Sequence, residues 1–255
     1  MGKVLAITNQ KGGVGKTTTS VNLSASLAAT KRKALLIDLD PQGNATMGSG
    51  IDKKDLSVSI YDVLMGEKSI EEATLSLENT KYDLLPSNSD LTGAEVGLLN
   101  ITNREIQLRK EVEKIRDKYA YIIIDCPPSL NMLTVNALVA ADSVVIPTQC
   151  EYYALEGLSA LLETIEKIKS VLNPNLNVEG LLRTMFDSRN NLANEVSKQL
   201  TDYFGDKVYN TIIPRNVRLA EAPSYGQPII LYDKTSTGAI AYLALAGELM
   251  RKEVQ

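Results

Sequence analysis

A three-layer α/β architecture, a mostly parallel twisted sheet flanked by helices, is what this sequence predicts. Three observations carry the prediction. Short apolar runs alternate with helical patterns along the whole chain, as repeated strand-helix units require. The run Tyr121-Ile122-Ile123-Ile124 is apolar without alternation, as in a strand covered on both faces. A glycine-rich segment, Gly12-Gly13-Val14-Gly15, separates the first apolar run from the first helical pattern.

In chain order, strands are expected at Val4–Thr8, Ala34–Asp38, Tyr82–Pro86, Tyr121–Asp125, Ser143–Pro147, Val178–Met185 and Val208–Ile213, each a short apolar run. Helices are expected at Lys16–Ala29, Ser59–Leu64, Asn103–Lys118, Met132–Ala140, Leu155–Val171, Asn191–Phe204 and Gly238–Lys252. Stretches 41–60 and 86–102 are the least regular, and each follows a strand end. Ligands of open parallel sheets sit at the carboxyl ends of strands, so these loops should border a site. No repeat or Pro/Gly-rich linker interrupts the chain, and one domain over 1–255 is the economical reading.

Composition narrows the chemistry. The 255 residues carry a net charge of −4, so contact with nucleic acid would be confined to a local patch on an acidic body. There is no histidine, which excludes Ser-His-Asp catalysis and His-liganded zinc. Cys126 and Cys150 are too few for a disulfide framework and flank apolar strands, where burial and a reducing cytoplasm are expected. No leader precedes Val4-Leu5-Ala6-Ile7 in this sequence, and no run approaches the length of a membrane span.

The glycine segment is read as a phosphate loop. Its end, Gly15-Lys16-Thr17, fits the usual G-x-x-x-x-G-K-[ST] pattern, whereas Gln10 stands at the first glycine position. The physics survives the departure. Gly12, Gly13 and Gly15 let backbone N–H groups curl around phosphates, and the helix that follows adds a favourable dipole. Lys16 can reach the β- and γ-phosphates, Thr17 can ligate Mg²⁺, and Thr18 can donate on the α-phosphate side. ATP and Mg²⁺ are the expected ligands. Lys11 is an additional cation. A charge pair at ~4 Å is worth about 4 kcal/mol at an effective dielectric of ~20 but about 1 kcal/mol in water, so Lys11 is useful chiefly where a second subunit excludes solvent. A solvated loop lysine is the plain alternative.

Two apolar strands end in aspartates. Asp125 follows an apolar strand, the usual place to hold Mg²⁺ directly or through water, with a helix N-cap or turn residue as the alternative. Asp38 and Asp40 share one face while their strand continues. Asp38, nearer the strand body, could serve the outer shell of the metal. Asp40, further out before Pro41, is the choice for orienting or deprotonating the attacking water, with a structural turn residue as the alternative.

These segments together resemble a known family. Lys11 to Thr18 is similar to the deviant Walker A box of the ParA/MinD group of P-loop NTPases, and Asp38-Leu39-Asp40-Pro41-Gln42-Gly43-Asn44 and Asp125-Cys126-Pro127-Pro128-Ser129 resemble its two following boxes. Gln149 to Gly157 and Ile213 to Ser224 extend the likeness, and the chain to about residue 250 resembles the short chromosomal ParA proteins called Soj. The resemblance implies an ATP-dependent homodimer in which Lys11 reaches the partner's nucleotide, Gly12 lies at the dimer contact and Asp40 promotes hydrolysis. It also implies that the dimer binds DNA without sequence preference, that a ParB-type centromere-binding protein stimulates hydrolysis, and that the protein works on the nucleoid in chromosome or plasmid segregation, with a role in replication initiation in some bacteria. Arg189 and Arg218 carry over as DNA contacts, Lys198, Lys207 and Arg215 as weaker ones, and Pro214 as the residue against adenine. Charge alone would read the arginines as solvated.

Three rival functions each demand a feature of the sequence. A MinD-like membrane-surface ATPase needs a basic amphipathic C-terminal helix, and the segment from Tyr242 to Gln255 has few basic residues. An iron–sulfur electron-transfer ATPase needs two suitably placed cysteines, which Cys126 and Cys150 do not resemble. A repressor with an added helix-turn-helix finds no room before a loop that begins at Lys11.

Overall fold

The computed structural model describes residues 1–252. All eight strands join one sheet: β1 Lys3–Ile7, β2 Ala34–Asp38, β3 Leu75–Ser76, β4 Asp83–Leu85, β5 Tyr121–Asp125, β6 Ser143–Gln149, β7 Asn177–Phe186 and β8 Val208–Pro214. The spatial order is β3-β4-β2-β5-β1-β6-β7-β8, and every pair is parallel except the two-residue edge strand β3. The helices are α1 Lys16–Ala29, α2 Asn44–Gly48, α3 Ile60–Met65, α4 Ile70–Ala73, α5 Ala94–Leu98, α6 Gln107–Ile115, α7 Met132–Ala140, α8 Ala154–Val171, α9 Asn191–Phe204, α10 Val217–Glu221, α11 Ile229–Tyr232 and α12 Thr237–Lys252.

Strand alternation divides the core into two layers. Val4, Ala6, Leu35, Ile37, Ile122 and Ile124 face one side, against α3 to α9. Leu5, Ile7, Leu36, Tyr121 and Ile123 face the other, against α1 and α12. Every residue of β5 is buried, which is why its sequence shows no polar alternation. The apolar stripe of α12, with Tyr242, Leu245 and Leu249, is spent on this packing. Residues 253–255, the tail of the segment weighed for membrane targeting, lie outside the described residues. Among the described residues no helix is long and apolar enough to cross a membrane.

Several elements differ from expectation. The helix expected over Asn103–Lys118 is broken into a 3-10 turn at Arg104–Ile106, α6, and a second 3-10 turn at Arg116–Lys118. Asn103 has a left-handed φ of 56°, so the chain enters α6 through a turn. Stretch 41–60 contains α2, and stretch 86–102 contains α5. Five residues are too few to display a helical period, so neither helix is visible as a pattern. The strand expected at Val178–Met185 runs to Phe186 and carries a bulge near its end. Ser59 starts α3 as one half of a capping box with Asp62, and Gly66 ends it at φ 75°.

Candidate active site

The phosphate loop connects β1 to α1 at the carboxyl edge of the sheet. Asn9 anchors its start: its amide donates to Pro147 O at 2.8 Å, and its Oδ1 accepts from Lys11 N–H at 3.0 Å. Gly13 and Gly15 have φ of 74° and 86°, which L side chains rarely adopt. Val14 is buried, and its carbonyl accepts from Thr184 Oγ1 at 2.8 Å, tying the loop to β7. Gly15 supplies no side-chain cap to α1. The N–H groups of the first turn therefore have no side-chain cap, the condition under which a helix start can take an anion. Thr17 and Thr18 are half-buried in that turn.

Lys16 is buried, with its Nζ donating to Lys11 O at 3.0 Å. Burial lowers its pKa, opposed first by the charge of Asp125 and also by that of Asp40. Lys16, Asp40 and Asp125 thus form one electrostatic group. Lys11 is exposed and paired with Glu151, Nζ to Oε2 at 2.5 Å. Beyond Lys11 and Gly13, no other described residue has an atom within 4 Å of where a Cβ on Gly12 would stand.

The aspartates converge from neighbouring strands. Asp38 and Asp125 are register partners at the ends of β2 and β5, and both are fully buried. Asp125 Oδ1 accepts from Ser20 Oγ at 2.8 Å, while its Oδ2 has no hydrogen-bond partner among the described residues. Burial, and then the neighbouring Asp38, push the Asp125 carboxyl up, opposed by the Thr17 and Ser20 hydroxyls. Asp38 is also raised by burial, but it is already committed: Oδ2 accepts from Thr46 N–H and Oγ1 at 2.8 and 2.7 Å, and Oδ1 accepts from Asp40 N–H at 3.2 Å. The unpartnered Asp125 oxygen beside the Thr17 hydroxyl fits a divalent cation, with Asp38, both of whose oxygens are engaged, behind them. No cluster of three protein ligands occurs among the described residues. Mg²⁺ would therefore rest on Asp125 and Thr17, with phosphate oxygens and water completing its shell, as Mg²⁺ sites commonly do.

Asp40 is held by its backbone and by the loop after it. Its carbonyl accepts from Ser87 Oγ at 2.8 Å and its Oδ1 from Gln42 N–H at 2.9 Å. Ser87 N–H donates in turn to Thr46 Oγ1 at 2.9 Å, which links Asp40 to the partner of Asp38. Pro214 lines a cavity of about 170 Å³ that also takes in Gly15, Thr18, Thr184 and Met185. Arg189 and Arg218 lie elsewhere, in the segments that follow β7 and β8. Both are exposed and hold acidic neighbours: Arg189 meets Asp187 at 2.9 and 2.7 Å, and Arg218 meets Glu221 at 2.9 Å and Asp233 at 3.7 Å.

Sequence reasoning missed Ser20, Thr46, Ser87, Thr184 and Glu151. Ser20 is the one with a local signal, since it lies one helical turn after Lys16 and so shares its face. Thr46 and Ser87 lie in the two stretches expected to border a site, 41–60 and 86–102, although nothing local names their partners, and Thr184 and Glu151 act across the fold.

A family model described as an AAA domain matches residues 2–178. The chain is 55% identical over 249 residues to the sporulation initiation inhibitor protein Soj of Bacillus subtilis, covering 98% of each chain. It is 54% identical over 253 residues to the chromosome partitioning protein ParA of Myxococcus xanthus, covering 99% of this chain and 89% of that one. A solved structure of cobyrinic acid a,c-diamide synthase from Mycobacterium smegmatis, with bound ATP analogue and magnesium, superposes with a TM-score of 0.88 at 38% identity, covering 100% of this chain and 97% of that one.

Proposed function

This chain belongs to the ParA/Soj family of P-loop ATPases, and on that premise we propose that it is an ATP-dependent switch for segregating DNA. The observation that carries the reading is the orphaned Asp125 Oδ2, buried beside Lys16 under an uncapped helix N-terminus. No hydrogen-bond partner among the described residues satisfies that oxygen, whereas a magnesium nucleotide would.

In this reading the loop N–H groups and Lys16 bind the β- and γ-phosphates, and Thr17 and Asp125 hold Mg²⁺, which neutralises phosphate charge. Asp38 orients the Asp40 segment through its bond to Asp40 N–H. Asp40 positions the attacking water and takes its proton. Lys11 leaves Glu151 and reaches the nucleotide of a second copy, where exclusion of water strengthens the pair. The resulting homodimer binds DNA through phosphate contacts from Arg189 and Arg218, without reading bases. Hydrolysis is slow until a ParB-type partner stimulates it, and the cycle moves chromosomal or plasmid DNA on the cytoplasmic nucleoid. A link to replication initiation belongs to the same reading. The MinD-like alternative is disfavoured by α12, whose apolar stripe is already buried against the sheet.

Gel filtration and DNA binding with ATP, ADP and no nucleotide test the switch. Dimerisation and DNA binding are expected with ATP alone, with affinity falling steeply as salt rises. Equal DNA binding with ADP, or none with ATP, would refute it.

A further inference from the structure

A second cavity, of about 470 Å³, opens between the last turn of α12, the 3-10 turn at Gly205–Lys207 and the first residues of β8. Neither the phosphate loop nor Asp38, Asp40 or Asp125 lines it. Its volume falls within the roughly 300–1,000 Å³ of small-molecule sites. Three cations, Arg183, Arg251 and Lys252, face two carboxylates, Asp206 and Glu248.

The cations are poorly matched by what surrounds them. Arg183 is half-buried in β7, and only neutral oxygens accept from it: Ser197 Oγ at 2.9 Å, Tyr209 O at 2.7 Å and Asn210 O at 3.4 Å. Its Nε has no hydrogen-bond partner, and it forms no ion pair, among the described residues. Burial lowers its pKa, opposed by Cys150 and Glu248. A charge taken out of water without a counter-charge is costly, so this guanidinium favours an anion beside it. Glu248 is engaged elsewhere: Oε1 accepts from Asn210 N–H and Nδ2 at 2.7 and 3.2 Å, and Oε2 from Thr211 N–H and Oγ1 at 2.8 and 2.6 Å. Arg251 makes no hydrogen bond or ion pair among the described residues, and Lys252 Nζ donates only to Asp206 O, at 3.3 Å, while lying 4.4 Å from the centre of the Tyr209 ring. Asp206 is in the exposed turn, so the buried wall is left cationic.

We propose that this cavity is a second ligand site, separate from the nucleotide site, for a small organic phosphate whose anionic group pairs with Arg183, with Arg251 and Lys252 as the further cations. A guanidinium fork matches phosphate oxygens, and a phosphomonoester carries nearly two negative charges at neutral pH, enough to answer more than one cation. A bare anion would leave most of the cavity to water, whereas an attached sugar-sized body would fill it.

The test is calorimetric titration of ribose 5-phosphate into the full chain saturated with Mg·ADP, which occupies the phosphate loop, with inorganic phosphate and ribose as parallel titrants. Ribose 5-phosphate should bind saturably, one per chain, inorganic phosphate more weakly and ribose not at all. Arg183→Gln should weaken ribose 5-phosphate by about tenfold or more. Because that change also removes bonds to β8, the exposed pair Arg251→Gln and Lys252→Gln supplies a second reading, a loss of roughly two- to fivefold for each. Lys16→Ala without nucleotide should bind ribose 5-phosphate as the parent does. Loss in Lys16→Ala would place the ligand on the phosphate loop and overturn the inference. So would the absence of saturable binding by either phosphate, or an affinity unchanged in Arg251→Gln and Lys252→Gln. Inorganic phosphate binding as tightly as ribose 5-phosphate would overturn the organic body.

Discussion

Replacing Gly12 by valine separates what the loop needs for folding from what it needs for assembly. Within the chain the substitution meets nothing: apart from Gly12 and its two chain neighbours, no atom of the described residues lies within 4 Å of the new Cβ. Gly12 is also absent from the glycines with positive φ, which include its neighbour Gly13. The folding free energy should therefore change by no more than about 0.5 kcal/mol, as for surface substitutions free of special features. A second copy docked face to face changes the sum. Overpacking costs about 1–3 kcal/mol per site, and two-fold symmetry applies it twice, giving about 2–6 kcal/mol. That corresponds to dimerisation weakened by roughly 30-fold to roughly ten-thousand-fold. Light scattering with ATP, beside thermal unfolding and ATP titration of the monomer, reads all three quantities. Gly12→Val should keep its fold and bind ATP, yet stay monomeric. Wild-type dimerisation would remove Gly12 from the interface, and loss of folding or of ATP binding would place the clash within the chain.

Gly13→Ala should behave in the opposite way: its φ of 74° imposes strain on any side chain, so the isolated chain should lose about 1–2 kcal/mol in urea unfolding. Lys16→Ala should lose ATP binding, because the buried ammonium beside Asp125 and Asp40 is the principal positive charge of the loop; normal affinity by calorimetry would refute the loop assignment. Asp40→Ala should keep ATP and dimerise but release little phosphate, and normal turnover would move the catalytic role to another group. Glu248 gives a prediction in pH. Burial alone would raise its pKa, but the Thr211 hydroxyl and the N–H groups of Thr211 and Asn210 hold it below the usual value of 4.5. A depressed folded-state pKa stabilises the protein above the unfolded value, and the gain is lost as pH falls through the folded one. Glu248→Gln should therefore be less stable by about 1.5–3 kcal/mol at pH 7. The gap should narrow as pH falls below about 4.5, and a gap independent of pH would show that the carboxylate charge contributes nothing.

The sequence by itself determined what local chain chemistry can encode. Tyr121–Asp125 announces a doubly covered strand because both of its faces are buried, and Gly13 and Gly15 announce a loop because their backbone angles exclude side chains. Lys16, Asp38 and Asp125 were legible because a parallel sheet places strand ends on one edge, whichever order the strands take. Only the tertiary structure decided what meets across that edge. The order β4-β2-β5-β1-β6 brings Asp38 level with Asp125, and packing of α1 sets Ser20 against Asp125 from 105 positions away. The tethering of Asp38 by Thr46, the bracing of Asp40 by Ser87 and the pairing of Lys11 with Glu151 have no counterpart in any spacing. The same holds for the bulge near the end of β7: a strand pattern reports which residues are apolar, whereas a bulge is a mismatch in register between two strands and exists only once they are paired.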